Sequence, residues 1–407
     1  MTFITPAQVK LFNEKAKALN VLPIKVPPPY QKLVQEEYEA LGHLGGPLYR
    51  VVYPAADRLD LRTAHEVPDF VEDQTNMPEG LANVLIHKYA NRALFLVTDK
   101  CAGHCMYCFR QDVISDMQGN PLPPLEERID RVLAYLGKHP EITELILSGG
   151  DPLTIPFRKL TSLFDRLARE THVTDIRIHS RNLVFAPSVV SEEVARLLGQ
   201  HHVRIYIHVV HPYEIDEPMV AVIKRLQAAG VRTYSQFPIL RGINDHVAVL
   251  TALLRKLDAL RSNPINLFIP DPISYSASFR VPLKRLFGLV DELYWTTGSW
   301  TNGVRLVLDS PVGKVRREDI VDWDEGSGRV VFQRQGKNVV YHDFPAELDQ
   351  PGGTGLSPTL CFFPNQAAAG IGGAGLPLRR SAITWARYGQ GDCFRLRHVS
   401  ITLASRA

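Results

Sequence analysis

The sequence predicts an α/β fold, a partial (β/α)6 barrel built on a mostly parallel sheet. Apolar strand-like runs alternate with amphipathic helical patterns from Ala93 to Leu308, in about six β–α units. Strands separated by helices form parallel sheets with right-handed connections. Polar motifs follow four of the strands, and sites in such sheets form at the carboxyl ends of strands. The length of 407 residues suffices for one large barrel or two medium domains.

Each barrel element follows from the spacing of its apolar residues. The predicted strands are Ala93–Val97, Thr143–Leu147, Asp175–Ile178, Val203–Val209, Arg232–Phe237, Asn266–Ile269 and Val304–Leu308. The predicted helices between them are Leu125–Leu136, Leu160–Ala168, Glu192–Leu198, Met219–Ala229 and His246–Leu257. These elements assign residues 71–308 to the barrel.

Shorter regions flank the barrel. The pattern of residues 1–70 predicts two helices, one capped by Thr5-Pro6 and one near Gln31–Ala40. We expect this region to form an outer layer of the barrel or an oligomer contact, without catalytic residues. Residues 309–350 predict a loop and short strands, with a hairpin turn at Gly326-Ser327-Gly328. Residues 351–407 are rich in Gly, Ala, Pro and Ser without periodicity, which predicts a disordered or atypical tail.

Composition argues against several classes of protein. The formal net charge of +3 gives no electrostatic reason to bind nucleic acid. No apolar run approaches the ~20 residues that span a bilayer, and Met1–Asn20 has no apolar signal core. Five cysteines, three of them clustered, do not form a disulfide framework and fit a reducing compartment. We therefore expect a cytoplasmic protein that binds neither membrane nor nucleic acid.

Three cysteines, Cys101, Cys105 and Cys108, follow the first predicted strand with the spacing C-x₃-C-x₂-C. Clustered thiolates suit an iron–sulfur cluster or zinc. Structural zinc requires a fourth ligand, and none lies nearby at a finger-like spacing. A four-iron cluster held by three cysteines keeps one iron open to a substrate or cofactor. Three unrelated buried thiols are the alternative, which the rarity of cysteine elsewhere disfavours.

The motifs around these cysteines resemble a known family. CAGHCMYCFR, with Tyr107 before the last cysteine, resembles the signature of radical S-adenosylmethionine (SAM) enzymes. The segments LSGGDPL at Leu147–Leu153, RIHSR at Arg177–Arg181 and LRGIND at Leu240–Asp245 are similar to the lysine 2,3-aminomutase family, in the family's order. The likeness runs from about Val67 to about Pro345, and it implies a radical SAM barrel of the same open (β/α)6 form.

The resemblance implies that the three cysteines bind a 4Fe-4S cluster and that SAM chelates the open iron. Reduction of the cluster would then cleave SAM to a 5′-deoxyadenosyl radical. The implied SAM contacts are Ser148, Gly149, Gly150, Asp151, Ser180 and Gln236. The glycines would let the backbone approach a ligand, and the Asp151 carboxylate could accept from an ammonium group. The alternatives are purely structural. SGGD could form an ordinary turn, and Ser180 and Gln236 could make ordinary hydrogen bonds at the ends of their strands.

A second centre is implied at Lys314, which stands where the family carries its pyridoxal phosphate (PLP) lysine. The chemistry needs an amine that forms a Schiff base with PLP and surrenders it to a substrate amine, which a flexible loop permits. The glycine run before it is shorter here than in the family. Lys88 and Arg92 match residues that hold the cofactor phosphate. Alternatively, Lys314, Lys88 and Arg92 could be ordinary solvent-exposed cations that bind no cofactor.

The substrate residues implied by the resemblance are Arg110, Asp271 and Asp309. Arg110 would bind the substrate carboxylate, because a guanidinium fork pairs with a carboxylate in a bidentate manner. Asp271 and Asp309 would bind a distal ammonium, as in the family's lysine enzymes. Two carboxylates facing one cavity repel each other unless a cation lies between them. Asp309 could instead orient the loop of Lys314.

The implied function is a PLP-dependent aminomutase, an isomerase that moves an amino group between C2 and C3 of a basic amino acid through an external aldimine and the deoxyadenosyl radical. L-lysine would be converted to β-lysine. The same chemistry could instead act on a lysine of a translation factor, on arginine or on glutamate. Two other functions are also open, a PLP-free radical SAM enzyme and a non-enzymatic metal-binding or iron-sensing module. Expected partners are a small amino acid, a reductant such as flavodoxin or ferredoxin, and further copies of the chain in a homo-oligomer.

Overall fold

The main structural element is an eight-stranded sheet whose spatial order follows chain order. The computed structural model describes residues 3–111 and 122–350. The strands of this sheet are β1 Leu85–Tyr89, β2 Arg92–Thr98, β3 Glu144–Gly149, β4 Asp175–Ser180, β5 Arg204–Ile207, β6 Arg232–Pro238, β7 Asn263–Phe268 and β8 Arg305–Val307. β1 is antiparallel to β2, and every later neighbour is parallel. The open, mostly parallel sheet of the predicted fold class is confirmed.

Helices connect the parallel strands. The α-helices are α1 Pro6–Ala18, α2 Pro28–Leu41, α3 Pro47–Val52, α4 Leu125–Leu136, α5 Phe157–Glu170, α6 Asn182–Phe185, α7 Glu192–Gln200, α8 Glu217–Ala228, α9 Val247–Ala259 and α10 Leu283–Thr296. Every strand and helix predicted within the barrel is present. In α5, Leu160, Leu163, Phe164 and Leu167 are buried at helical spacing, and this stripe explains why the helix packs on the sheet.

The N-terminal helices cover one side of the barrel. The predicted cap of α1 is present, because Thr5 Oγ1 accepts from Gln8 N at 3.2 Å while Gln8 Oε1 accepts from Thr5 N at 2.9 Å. Tyr30 in α2 is fully buried, and its ring lies 4.9 Å from that of Phe185 in the barrel. Within the described ranges, no helix is long and apolar enough to cross a membrane.

A small antiparallel sheet follows the barrel. It consists of β9 Ile320–Asp324, β10 Arg329–Arg334 and β11 Lys337–His342. The predicted hairpin turn joins β9 to β10, and Gly328 adopts φ +69° there. The buried guanidinium of Arg280 donates to Tyr341 Oη at 3.0 Å and so connects this sheet to the barrel. The tail predicted at 351–407 lies outside the described residues.

Candidate active site

A cavity of about 290 Å³ lies at the carboxyl ends of the parallel strands. Its wall contains all of the candidate residues that were identified from the sequence. These are Lys88, Arg92, Cys101, Cys105, Cys108, Arg110, Ser148, Gly149, Gly150, Asp151, Ser180, Gln236, Asp271, Asp309 and Lys314. Residues far apart in the sequence therefore meet in one place, although their individual roles stay predictions.

The cysteine loop, residues 101–110, is hydrogen-bonded to the N-terminal region. His104 N donates to Lys25 O at 2.9 Å, and Met106 N donates to Val51 O at 2.8 Å. Both acceptors belong to the region that the sequence suggested was only an outer layer or an oligomer contact. Because these bonds fix the backbone between the cysteines, the N-terminal region also supports the site.

The cysteines of this loop form no disulfide and are partly buried. Burial raises the pKa of Cys101 and Cys105 above the usual value, so the bare thiols are neutral at neutral pH. Metal binding favours the thiolate and releases its proton. In the described part of the chain, no three His, Cys, Asp or Glu side chains converge on a site for a single metal ion.

The two glycines of the SGGD motif are required by close backbone packing. Gly149 has φ +107°, and a Cβ there would lie 2.3 Å from Thr98 O. A Cβ on Gly150 would lie 2.3 Å from Lys100 O. Gly150 N also donates to Thr98 O at 2.7 Å. The glycines thus allow the end of β3 to pack directly on the backbone that leads into the cysteine loop.

Asp151 connects the ends of β3 and β4. Its carboxylate accepts from Ser180 Oγ at 2.9 and 3.0 Å, from Arg181 N at 2.7 Å, from Asn182 N at 2.9 Å and from Leu153 N at 3.0 Å. Burial raises its pKa to about 6, although these hydrogen bonds oppose the shift. Both oxygens are engaged within the protein, so Asp151 and Ser180 shape the rim, and their contact with SAM stays a prediction.

Lys314 and Asp309 form an ion pair inside a closed loop. Lys314 Nζ lies 3.1 Å from Asp309 Oδ2, and the two side chains are 36% and 29% exposed. Leu308 and Val315 exchange two backbone hydrogen bonds of 2.9 Å across the base of the loop. Gly313 adopts φ +98° beside the lysine. The loop that was expected to be flexible is therefore closed at its base, and its lysine is already paired.

The two candidate substrate aspartates have opposite electrostatic environments. Burial, with the nearby Asp309 charge, raises the pKa of Asp271 well above its usual range. Burial also disfavours ionised Asp309, but Lys314 and Lys88 outweigh it, and the pKa of Asp309 is lowered. Burial lowers the pKa of Lys88, whose Nζ donates to Val71 O at 2.9 Å. Asp309 is thus charged and paired at neutral pH, whereas burial and the charge of Asp309 disfavour the ionised form of Asp271.

The candidate anion-binding arginines have protein partners. Arg110 Nε lies 3.3 Å from Asp73 Oδ2, and Arg110 Nη1 donates to Ser148 Oγ at 3.1 Å. Arg92 Nη1 lies 3.9 Å from Glu144 Oε2. Asp73 also lines the cavity but was not identified from the sequence, because no motif surrounds it. We conclude that Asp73 orients the guanidinium of Arg110.

A buried ion pair that the sequence did not reveal lies beside the cysteine loop. Arg181 pairs with Glu214, and these side chains are 8% and 0% exposed. Tyr30 Oη donates to Glu214 Oε1 at 2.6 Å. Tyr107, inside the cysteine motif, lies with its Oη 3.0 Å from His208 Nε2. Because Tyr30 belongs to α2 and Arg181 lines the cavity, this network connects the N-terminal region to the site.

Several polar atoms around the cavity are available for a ligand. Among the described residues, His179 Nε2 and the Nε atoms of Arg58, Arg177 and Arg181 are buried without a hydrogen-bond partner. Burial, with Arg177 and Arg110 next, lowers the pKa of His179, which is therefore neutral. Gln236 Nε2 lies 3.4 Å from His179 Nδ1. Buried polar atoms normally have partners, so these side chains fit a polar ligand.

The charges of the cavity wall favour ligands with anionic groups. Seven basic side chains and four acidic ones line it. The basic ones are Arg58, Lys88, Arg92, Arg110, Arg177, Arg181 and Lys314, and the acidic ones are Asp73, Asp151, Asp271 and Asp309. This excess of positive charge suits the carboxylates and phosphates of cofactors and amino acids.

Comparison with known proteins decides the family. The model of the radical SAM superfamily matches residues 95–254. An L-lysine 2,3-aminomutase of Escherichia coli is 31% identical over 243 residues, covering 59% of this chain and 68% of that protein. A putative L-lysine 2,3-aminomutase of Aquifex aeolicus is 31% identical over 275 residues, covering 63% of this chain and 74% of that protein. The chain belongs to the lysine 2,3-aminomutase family of radical SAM enzymes.

Two further proteins also align with this chain. A putative L-lysine 2,3-aminomutase of Treponema pallidum is 39% identical over 206 residues, which are 50% of this chain but only 57% of that protein. A radical SAM methyltransferase structure from Sphaerobacter thermophilus aligns with a TM-score of 0.40 at 16% identity, covering 56% of this chain and 72% of that chain.

Membership of the radical SAM superfamily implies a 4Fe-4S cluster and SAM as cofactors, and the site fits them. The three cysteines of the loop, none of them in a disulfide, supply sulfur ligands for a cluster. The adjoining cavity supplies unpaired buried nitrogen atoms and an excess of basic side chains for the polar groups of SAM. The cofactors and the fold class expected from the sequence are thus supported by independent observations.

Proposed function

We propose that this protein is a PLP-dependent radical SAM aminomutase that moves an amino group between C2 and C3 of an amino acid with a cationic side chain, converting L-lysine to β-lysine. One observation carries the proposal. The cysteine loop, Lys314 and both Asp271 and Asp309 line the same cavity. A radical source, an amine for PLP and a receptor for a cation are thereby available to one substrate molecule.

Each role is assigned to a residue of this chain. When bound, the cluster and SAM supply a hydrogen-abstracting radical, and PLP supplies a ring that stabilises an unpaired electron beside the migrating nitrogen. Lys314 provides the amine that holds PLP. Lys88 and Arg92 neutralise its phosphate, and Arg110, oriented by Asp73, binds the substrate carboxylate. Fixed positions for these groups lower the entropic part of the barrier.

The carboxylates support a cationic side chain. Burial and the charge of Asp309 raise the pKa of Asp271 and disfavour its ionised form, so a ligand ammonium near it would form a favourable ion pair. While Lys314 holds PLP, its nitrogen is occupied and Asp309 is available to an incoming ammonium; transfer of PLP to the substrate amine would return the free lysine. An acidic side chain such as that of glutamate would instead add a negative charge beside two aspartates.

The test is turnover by anaerobically reconstituted protein with SAM, PLP and a strong reductant. L-lysine, L-arginine, L-glutamate and a translation factor with an accessible lysine are offered separately, and β-amino acid and 5′-deoxyadenosine are quantified. We expect β-lysine from L-lysine, and no product from the matched Cys105→Ser variant. SAM cleavage without any β-amino acid product, with or without PLP, would contradict the proposal in favour of a PLP-free enzyme. Bound iron without SAM cleavage would favour a metal-binding module.

A further inference from the structure

Tyr275 adopts a backbone conformation that its side chain disfavours. Its φ angle is +64°, in the left-handed region that glycine adopts freely and that a side chain disfavours. Strain of this kind persists only where the surrounding structure enforces it, and it concentrates at ligand-binding positions.

Three contacts enforce the conformation of Tyr275. Its N–H donates to Glu66 Oε2 at 2.9 Å, and its carbonyl accepts from the buried guanidinium of Arg58. The guanidinium carbon of Arg62 lies 3.8 Å from the centre of the Tyr275 ring, and Arg62 Nε is itself held by Glu66 at 2.7 Å. Both backbone groups and one face of the ring are therefore engaged, and these contacts restrict movement of the ring.

The segment that supplies these contacts is fastened beside Tyr275. Val67 N donates to Pro272 O at 3.0 Å, and Ser274 N donates to Val67 O at 2.9 Å. This bridge places Glu66 next to the loop that carries both Asp271 and Tyr275. The position of the ring is thus set by two chain segments, not by local turn preference alone.

The location of Tyr275 links this strain to the site. Asp271 and Tyr275 both line the cavity. Other non-glycine residues with positive φ in the described part of the chain do not line it, and these are Asn20, His65, Glu72, Asn83, His202, Arg261 and Gln335. The one such residue on the cavity wall is therefore an aromatic residue four positions after a candidate substrate-binding carboxylate.

We propose that Tyr275 determines how long an amino acid side chain the cavity accepts. This inference rests on the proposed function and adds the residue that limits substrate size. With the substrate carboxylate at Arg110 and the distal cation at Asp271, the ring bounds the space beyond that cation. Because its backbone is held and one of its faces is covered, the ring resists displacement, and a longer side chain overlaps it. A single methylene in a rigid pocket changes binding by roughly 10- to 200-fold.

Two substitutions test the role without depending on the strain. Tyr275→Gly removes the ring and adopts the observed φ freely, so it should fold. Tyr275→Asn also removes the ring and tolerates left-handed backbone, which covers the case that the glycine variant is unstable. Tyr275→Phe keeps the ring without its hydroxyl and is the matched control. Circular dichroism and thermal unfolding establish that each variant is folded.

The experiment is calorimetric binding to the full chain carrying its cluster, SAM and PLP, without reductant. The ligands are L-ornithine, L-lysine, L-homolysine and L-arginine. For the wild-type protein and Tyr275→Phe, we expect affinity to fall about tenfold or more beyond lysine. For Tyr275→Gly and Tyr275→Asn, we expect the ratio between L-lysine and the longer ligands to shrink to about threefold or less.

The outcomes separate the two proposals. Folded ring-deleted variants that keep the wild-type ratio would overturn the length limit and leave the aminomutase function intact. A wild-type protein that carries PLP on Lys314 but binds none of the four ligands would overturn the proposed substrate class, and the length limit with it. A ratio that collapses equally in Tyr275→Phe would also overturn the role of the ring, because that variant retains it.

Discussion

Lys314 Nζ and Asp309 Oδ2 lie 3.1 Å apart, so the proposed PLP lysine is already the partner of a proposed substrate carboxylate. The two residues stand at opposite ends of a closed loop in which Leu308 and Val315 exchange backbone hydrogen bonds. A Schiff base with PLP would occupy the Lys314 nitrogen and release Asp309 until PLP passes to a substrate amine. We therefore expect cofactor loading and the availability of Asp309 to be linked through this one contact.

Asp309→Asn tests this link. Asparagine cannot form the ion pair with Lys314, so PLP no longer competes with a carboxylate for the lysine, and we expect PLP content to be retained. The affinity for L-lysine should fall about tenfold or more, because one partner of the ligand ammonium loses its charge. Absorbance measures the bound PLP, and calorimetry measures the affinity. Asp322→Asn, at an exposed aspartate of β9, is the control, and an unchanged lysine affinity in Asp309→Asn would contradict the link.

Asp271→Asn should stabilise the unloaded protein. The pKa of Asp271 is raised in the folded state, so the folded protein binds more protons than the unfolded chain between the usual carboxyl pKa and the raised value. In that pH range, the contribution of Asp271 to the free energy of unfolding falls as pH rises. Replacing the carboxyl with an amide removes this penalty, and we expect an increase in Tm of about 1–3 °C at pH 8 and less at pH 5. Thermal unfolding at both pH values is the measurement. A lower Tm at pH 8 would show that the carboxylate is stabilising.

Gly150→Ala should block assembly of the cluster while most of the barrel remains folded. The added methyl would lie 2.3 Å from Lys100 O, so the backbone leading to Cys101 must shift. We expect bound iron to fall several-fold after reconstitution, with circular dichroism near that of the wild type. Gly288→Ala in α10 is the control, because its Cβ has open space and alanine favours a helix by up to about 1 kcal/mol. Full iron content in Gly150→Ala would contradict the packing explanation.

Asp151→Ala should destabilise the fold as well as the site. The substitution leaves the backbone N–H groups of Leu153 and Arg181 without their acceptor in a buried environment, whereas Asn182 N keeps Ser180 Oγ at 3.1 Å. Each unsatisfied buried donor costs roughly 1–3 kcal/mol, so the free energy of unfolding should fall by about 2 kcal/mol or more. Denaturant unfolding measures it, with Asp165→Ala on the exposed face of α5 as the control. A stability equal to that of the control, with SAM binding lost, would instead assign Asp151 to SAM alone.

The barrel and the cysteine motif were predictable because their signals are local. Apolar spacing identified the parallel strands, and a short segment carries all three cysteines. Helix α10 was not predicted, although the same kind of pattern could have identified it. Its buried residues have helical spacing, and these are Leu286, Phe287, Val290 and Leu293. β1 gave a weaker signal, because its sequence LIHKY mixes apolar and basic residues.

The supports of the site were not predictable, because they depend on pairs that are distant in the sequence. Hydrogen bonds connect Asp73 with Arg110, Glu66 with Tyr275, and Tyr30 with Glu214. A solvated surface charge and a buried partner have the same appearance in a sequence, and only the fold distinguishes them. Domain boundaries and the individual roles of the site residues therefore stay predictions.

The most direct test of the aminomutase function is the location of PLP. Anaerobically reconstituted protein is incubated with PLP, reduced with borohydride and mapped by mass spectrometry, while its iron and sulfide contents are measured. We predict a reduced PLP adduct on Lys314 in protein that also carries a 4Fe-4S cluster, and no adduct in Lys314→Ala. A complete cluster with no PLP on any lysine would contradict the aminomutase function and leave a radical SAM enzyme of a different reaction.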